Sequence, residues 1–359
     1  MPPLEPMLAK PVSRIRSGWL YEPKWDGFRA IVFRDGDEVE IISRNARPMA
    51  RYFPELVAAA RRGLPSRCVV DGEIIIADPE RGALDFWALQ QRLHPARSRV
   101  EMLAERTPAR LVVFDLLALG EEDLTVQTFR QRRLALERIS SGFAESIHLT
   151  PITEDAATAQ RWFDEFEGAG LDGVIAKNGE DHYEPGRRVM EKVKHDRTAD
   201  RVVIGYRRHK SGPDAVGSLL LALYSGDASA DEEWSEMLGG LIPIGVASSF
   251  PMARRRQLVA ELEPLIIDVT EHPWGDAMRE MASETGGGQG SRWNPGKDLS
   301  LVPLRPELVA EVRYNHMDGR RLRHPAQFLR WRPDRDPTSC GFDQLEVLAP
   351  VAVTDILGG

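Results

Sequence analysis

The sequence predicts an α+β protein in two parts: a mixed first domain of strands and helices, then a small β-barrel. Three observations carry this. Apolar, β-branched runs recur through the first two hundred residues, separated by stretches with helical spacing. Beyond about residue 200 the pattern changes to five short strands with one helix among them. The length of 359 residues suits two or three domains, and the hydrophobic fraction of 42% supplies an ordinary globular core.

The first domain reads in order. AIVFR (30–34) and VEIIS (39–43) are strand-like. PELVAAARRG (54–63) places Leu56, Val57 and Ala60 on one helical face and stops at Gly63. CVVDGEIII (68–76) is the next strand, and Asp85 can cap the helix FWALQQRL. RLVVFDLL (110–117) is a strand, and Thr128 can cap FRQRRLALERI. EDAATAQRWFDEFEGAG reads as a helix stopped by Gly168 and Gly170, and DGVIAK (172–177) returns to strand. The helices are expected outside.

The second domain offers VVIGYRR, SLLLALYS and LIPIGVAS, then the helix MARRRQLVAELEPLI, then LVAEVRYNHM and QFLRWRP. Five strands with one intervening helix suit a barrel of the OB kind. The change falls near residues 198–202, giving domains at 1–200 and 201–359. TGGGQGSRWNPGK (285–297) is expected to be a loop. It is not a P-loop, since its lysine precedes Asp298 and no strand leads into the glycines.

Bulk properties exclude several classes. Cys68 and Cys340 are the only cysteines, which leaves no disulfide framework and no four-cysteine zinc site. No apolar run has the length of a membrane span, and MPPLEPMLAKPVSRIRSG has no apolar stretch for a signal peptide. A soluble protein of a reducing cytoplasm is the expectation. The net charge of −8 speaks against nucleic acid, but its distribution does not. Acid concentrates in 227–236, and base in 187–210 and 313–335. A charge run alone is usually a solvated face, so the charge decides nothing by itself.

The chemistry starts at EPKWDGFRA (22–30). A Lys-x-Asp-Gly-x-Arg string arises by chance in roughly one chain in a few hundred, and by itself could be a turn carrying a surface lysine. Six further strings follow in order: SRN (43–45), DGE (71–73), FDLL (114–117), LDGVIAK (171–177), EKVK (191–194) and RWRPDR (330–335). Taken singly, DGE is a hairpin turn, Phe114 is core and each lysine is an exposed strand charge. Together, in this order and spacing, they are not coincidence.

This series resembles the nucleotidyltransferase motifs of the covalent superfamily that holds ATP-dependent DNA ligases, RNA ligases and mRNA capping enzymes. It is most similar to the short stand-alone bacterial DNA ligases often called C-type. The resemblance implies an ATP-grasp-like adenylation domain followed by an OB domain. It also implies a lysyl-AMP formed on Lys24 from ATP, with Mg²⁺ or Mn²⁺ present. AMP then passes to the 5′-phosphate of nicked duplex DNA, and the 3′-hydroxyl displaces it.

The same resemblance assigns roles. Glu22 meets the adenine edge, Phe114 stacks on the base, and Arg29 contacts the ribose or the DNA 5′-phosphate. Arg44 helps to hold the nick phosphate, and Glu73 touches the ribose or a metal-bound water. Asp172 stands where a glutamate usually helps bind the metal: charge and hard-oxygen character are kept on a shorter arm. Lys177, Lys192 and Lys194 are expected around the α-phosphate, where three cations would neutralise charge as it spreads over the oxygens. Period two places Lys192 and Lys194 on one face. Lys24 needs a lowered pKa to act as a nucleophile, and a metal, Lys192 and Lys194 are the cations expected to lower it. Asp115 is expected to be structural.

Arg332 and Asp334 match a C-terminal Arg-x-Asp-Lys that orients pyrophosphate, while Arg335 stands in the lysine's place and keeps only its charge. ATP is expected over NAD, because an NAD-dependent relative carries a further domain ahead of the lysine and a zinc module. The expected setting is the bacterial cytoplasm, nucleoid-associated, as a monomer with DNA-repair proteins as possible partners and no membrane. An RNA ligase is the alternative within the superfamily. A capping enzyme is disfavoured because Trp25 stands where a threonine is usual. A non-catalytic nucleic-acid-binding protein that keeps the fold is the alternative of another class.

Overall fold

The structure is a computed structural model and describes residues 4–78, 80–225, 240–275, 301–315, 317–318, 320–345 and 349–358. The acidic run at 227–236 and the glycine-rich loop at 285–297 lie outside the described residues. The chain divides into two compact units, Met1–His195 with Leu348–Gly359, and Asp196–Val347.

The first unit opens with β1 (Leu8–Val12), β2 (Leu20–Pro23), β3 (Phe28–Asp35) and β4 (Glu38–Ser43). Helix α1 (Pro54–Gly63), β5 (Arg67–Ile75), α2 (Phe86–Gln91) and α3 (Arg97–Arg106) follow. Next come β6 (Arg110–Leu119), β7 (Glu122–Asp123), α4 (Phe129–Ser140), β8 (Ile147–Leu149) and α5 (Ala156–Glu165). The unit then adds β9 (Val174–Lys177) and β10 (Arg188–Val193).

These strands make two sheets. One runs β1-β10-β9-β2; the other runs β4-β3-β5-β6-β7, with β8 joined in parallel to β6. The capping readings hold at residue level. The Asp85 side chain accepts from the Ala88 amide at 2.8 Å, and Thr128 with Gln131 forms a capping box on α4. Helix α5 passes into a 3-10 turn that ends at Gly170, whose φ of +85° suits a residue without a side chain.

The main core of this unit packs Phe53 and Leu56 against Val32, Val70 and Val113 of the larger sheet. Alternation explains it: Ala30 and Val32 from β3 point the same way as Val70 from β5. A second cluster gathers Trp25, Ile75, Leu84 and Leu171 with Val353 and Ile356. The last two belong to a short closing helix, Val353–Leu357. The Val353 amide donates to the Gly82 carbonyl at 2.7 Å, and a Cβ at Gly168 would lie 1.8 Å from the Ala349 carbonyl oxygen. The closing segment therefore belongs to the first unit, not to the barrel in which 201–359 placed it.

The second unit is built from β11 (Arg197–His209), β12 (Gly212–Tyr224), β13 (Leu241–Ala247), α6 (Met252–Leu262) and β14 (Val302–Tyr314). The short pair β15 (Met317–Asp318) and β16 (Arg321–Leu322), then β17 (Gln327–Trp331), completes it. The sheet order is β13-β12-β11-β14-β17, and a parallel bridge between Ala247 and Ala326 joins its two ends. That bridge brings the ends of the sheet together in the manner of a barrel. Val202, Leu219, Leu221, Ile244 and Val312 fill it, with Leu258 and Leu262 of α6 packed on the cluster. Strand β11 begins at Arg197 because it pairs with Tyr314 of β14 there, a few residues before the composition changes.

Candidate active site

The site forms where the smaller sheet presents the end of β2. Pairing of β2 with β9 continues past the strand ends: the Lys24 amide donates to the Gly173 carbonyl at 2.8 Å, and the Asp172 amide to the Lys24 carbonyl at 3.0 Å. This brings Lys24 opposite Asp172. Two glycines permit the close approach. A Cβ on Gly27 would lie 2.0 Å from the Ile74 carbonyl oxygen; on Gly173 it would lie 2.0 Å from that of Val193. Gly173 also has a φ of +101°, which side-chain-bearing residues rarely adopt.

Lys24 Nζ donates to Asp172 Oδ2 at 2.9 Å, and Lys194 Nζ pairs with the same oxygen. Asp172 is buried, yet the two ammonium groups outweigh the cost of burial and hold its carboxyl down at about 2. Lys24 departs from the expectation of a lowered pKa. Burial lowers it, but the carboxylates of Asp172, Asp26 and Glu73 outweigh burial, and its pKa is raised. The lysine expected to be depressed by neighbouring cations is instead surrounded by anions.

Lys192 shows the opposite balance. Burial lowers its pKa, and the charges of Lys194, Lys24 and Arg44 lower it further against the pull of Asp172. Four cations therefore share one region: Lys24, Lys192, Lys194 and Arg44. Arg44 is exposed in the turn after β4, where the Ala46 amide donates to the Ser43 carbonyl at 2.9 Å.

Glu73, on β5, has its carboxyl pushed up to about 7, chiefly by burial. Arg29 and Lys24 oppose that shift, and Asp26 and Asp71 reinforce it. Among the described residues no group of three or more His, Cys, Asp or Glu side chains gathers as a metal cage. Asp172 and Glu73 are hard-oxygen donors of the kind Mg²⁺ or Mn²⁺ takes one or two at a time, the remainder coming from water and phosphate. The donor set fits an ion that arrives with a nucleotide.

A second cluster lies around Glu22. This carboxylate is 3% exposed, and its Oε2 pairs with Lys177 Nζ at 2.7 Å. Lys177 also donates to the Phe114 carbonyl at 3.3 Å. The three lysines expected around one phosphate are thus divided: Lys194 meets Lys24 at Asp172, Lys192 joins them electrostatically, and Lys177 is committed to Glu22. Phe114 is buried, with the Arg29 guanidinium 4.3 Å from its ring centre and Lys177 Nζ at 4.9 Å. Arg29 makes a two-point bond to Asp71, Nε to Oδ1 at 2.6 Å and Nη2 to Oδ2 at 2.7 Å, and Tyr183 donates to Asp71 at 2.7 Å. Asp115 is held by the buried Arg132 at 2.8 and 3.0 Å, a structural pair.

The barrel keeps its own motif together. Arg332 Nη1 reaches both oxygens of Asp200 at 3.1 and 3.0 Å, while its Nε and Nη2 bond Asp334 at 2.9 and 2.8 Å. Arg335 Nη2 donates to the Ser339 carbonyl at 3.2 Å, and its Nε lies 3.7 Å from the same Asp200 oxygen that Arg332 bonds.

Sequence reasoning missed Arg133 and Thr150. Arg133 Nη2 donates to the Thr150 carbonyl at 2.9 Å, and Trp25 Nε1 donates to Thr150 Oγ1 at 2.8 Å. A signal was present. Phe129, Arg132, Arg133 and Leu136 recur at helical spacing on one face of α4, so the two arginines lie on its apolar side.

Both parts of the chain resemble known proteins. The ATP dependent DNA ligase domain model matches residues 6–194, and the ATP dependent DNA ligase C terminal region model matches residues 212–335. The chain is 59% identical over 364 residues to DNA ligase C of Mycobacterium tuberculosis, covering 100% of this chain and 98% of that protein. It is 60% identical over 351 residues to DNA ligase C2 of Mycolicibacterium smegmatis, covering 96% of this chain and 95% of that one. A solved structure from a study of Lig E DNA ligases shares the fold, with a TM-score of 0.55 at 17% identity, over 91% of this chain and 99% of that one.

Proposed function

The chain belongs to the ATP-dependent DNA ligases, of the stand-alone bacterial kind, and on that premise we propose how its residues divide the work. Lys24 is the residue that takes AMP from ATP and passes it to the 5′-phosphate of a nick in duplex DNA. One observation carries this: Lys24 Nζ shares Asp172 with Lys194, two residues along the strand from the buried Glu22.

Attack needs a free amine, and pairing with Asp172 keeps the proton on Lys24. The pair must therefore part before chemistry, with Lys194 and Lys192 left to meet the α-phosphate. Both cations stabilise the charge that develops as pyrophosphate leaves. Asp172 and Glu73 would hold Mg²⁺ or Mn²⁺, which when bound neutralises phosphate oxygens and favours displacement. Glu22 and Phe114 would receive the adenine, Lys177 fixes Glu22, and Arg29 supports the ribose side. Arg44, exposed among the cations, is the contact for the nick phosphate. In the barrel, Arg332 is the candidate for pyrophosphate, its guanidinium already oriented by Asp200 and Asp334.

Among the described residues no helix is long and apolar enough to cross a membrane. We place the enzyme in the bacterial cytoplasm, on the nucleoid, as a monomer working in DNA repair with repair proteins as partners. Binding through backbone phosphates makes its affinity for a nick salt-sensitive and nearly independent of sequence.

The test is the intact mass of the protein after incubation with ATP and Mg²⁺, followed by a chase with nicked duplex DNA. The gain of one AMP, absent in Lys24→Ala and discharged by the nick, is the expected result. AMP retained against nicked DNA but released to nicked RNA would overturn the DNA assignment. No gain, in protein first discharged with pyrophosphate, would overturn the role of Lys24.

A further inference from the structure

Glu22 is enclosed on two sides by cations from different elements. Lys177 on β9 bonds its Oε2 at 2.7 Å, while Arg133 on α4 places Nη1 3.8 Å from its Oε1. Neither Glu22 Oε1 nor Arg133 Nη1 has a hydrogen-bond partner among the described residues, although both atoms are buried. A buried acceptor without a donor is costly, so this oxygen is expected to serve something that binds.

Arg133 cannot simply swing in to close the gap. Its Nε is bonded to Glu137 Oε1 at 2.7 Å and its Nη2 to the Thr150 carbonyl at 2.9 Å. Thr150 is in turn held by the Trp25 indole, next in sequence to Lys24. The guanidinium is thus fixed near enough to stabilise a carboxylate charge and too far away to occupy its free lone pair.

We propose that Arg133 is a positioning residue that sets nucleotide specificity: its fixed guanidinium holds Glu22 as an acceptor towards the base, so the pocket takes a 6-aminopurine and rejects a 6-oxopurine. The proposal rests on the reading of Glu22 as the residue that faces the base. An ionised carboxylate only accepts hydrogen bonds, which suits an exocyclic amino group and sets oxygen against oxygen with a 6-oxo group. A protonated carboxyl can donate, and the discrimination weakens.

The groups facing Glu22 determine which form prevails. Burial is the largest influence and leaves its pKa raised; Lys177 and Arg133 pull it back down, and Asp115 on β6 adds to the rise. Asp115 is itself neutralised by Arg132, and Arg133 is shared with Glu137. Without Arg133, Lys177 alone opposes burial and Asp115.

The experiment is single-turnover adenylation of Lys24 with ATP and with inosine triphosphate, across pH 5.5 to 8.5. It compares wild type with Arg133→Met, Arg133→Gln, Arg133→Lys and Glu22→Gln. In Arg133→Met and Arg133→Gln the preference for ATP is expected to fall at least about tenfold, with the loss deepening as pH falls. It should appear mainly in KM for ATP, and Arg133→Lys, which retains the charge, should restore most of it. Arg133→Gln can still donate to Thr150, so it reads the charge even where Arg133→Met does not fold. An unchanged ATP-to-inosine preference and pH profile in the Arg133 variants, with the preference altered in Glu22→Gln, would overturn the proposal and leave Glu22 as the base contact. No change in Glu22→Gln either would overturn both.

Discussion

Lys24 and Asp172 face one another across antiparallel strands and are tied through backbone and side chain alike, the Lys24 ammonium lying 2.9 Å from Asp172 Oδ2. Because Lys194 shares that oxygen, the carboxylate sits between the proposed nucleophile and the cation proposed to meet the phosphate. The arrangement stores the lysine in its protonated form and frees it only when Asp172 is drawn elsewhere.

Replacing Asp172 therefore has two opposed effects. The amine of Lys24 becomes easier to deprotonate, but its anchor and a hard-oxygen ligand are lost. The second effect is expected to win, because charge placed for the transition state is typically worth about 10²–10³ in rate. Asp172→Asn should slow formation of lysyl-AMP by about 10²-fold, read by mass in a single turnover. Asp172→Glu, with the longer arm usual in the family, should stay within about tenfold. A rate for Asp172→Asn within threefold of wild type, on the scale of about 0.7 kcal/mol, would remove Asp172 from the chemistry.

Gly173 has no room for a methyl group. Alanine there meets the Val193 carbonyl oxygen and must hold a φ of +101°. Strain and clash together should cost roughly 3 kcal/mol or more of stability and displace Lys194, one residue beyond Val193. Urea unfolding checks the first effect and the adenylation rate the second. An unshifted midpoint would mean that β10 can move aside freely.

His148 makes stability depend on pH. It lies on β8 beside Val112, its Nε2 without a hydrogen-bond partner among the described residues. Burial, with repulsion from Arg110, lowers its pKa from 6.5 to about 4. The unfolded chain thus takes up this proton first, so stability is lost as pH falls from about 6.5 towards 4 and is fully present above that window. A shift of this size is worth at most on the order of 3 kcal/mol, less here because the ring is partly exposed. Between pH 7 and 4, His148→Gln should lose less stability in urea titrations than wild type. Parallel curves would show that His148 ionises freely in the folded protein.

Ile356 anchors the closing helix against Trp25 and Leu171, the neighbours of Lys24 and Asp172. Ile356→Ala should cost about 2–5 kcal/mol and lower the melting temperature. If the helix also steadies the nucleophile, KM for ATP should rise well below the melting transition. A lowered melting temperature with unchanged KM would confine the helix to a packing role.

What could be read from the sequence follows a physical divide. The gathering of Lys24, Asp172, Lys192 and Lys194 in one region was legible because strand periodicity and ordered short strings carry them, and the barrel strands were legible from their alternation. The partition of the first unit into two sheets was not, since β1 and β10 pair in parallel across almost the whole unit. The pairing of Lys177 with Glu22 was not legible, because a string of residues does not show which side chain lies across the next strand. The raised pKa of Lys24 was not legible because Asp172 and Glu73 act on it through space from other segments, adding to Asp26 of its own. Arg133 was hidden by its charge: an arginine in a charged helix suggests solvent until its spacing from Phe129 and Leu136 is counted.

The closing helix also bears on how the chain is made. Synthesis is vectorial, and domains tend to fold in the order in which they emerge. Trp25 and Leu171 leave the ribosome early, but Val353 and Ile356 appear only after the entire barrel. The first unit must wait with an apolar cleft open beside Lys24 while the barrel folds. That interval is when a holdase chaperone would find most to bind, and when a nascent chain stalled inside the barrel would be easiest to degrade.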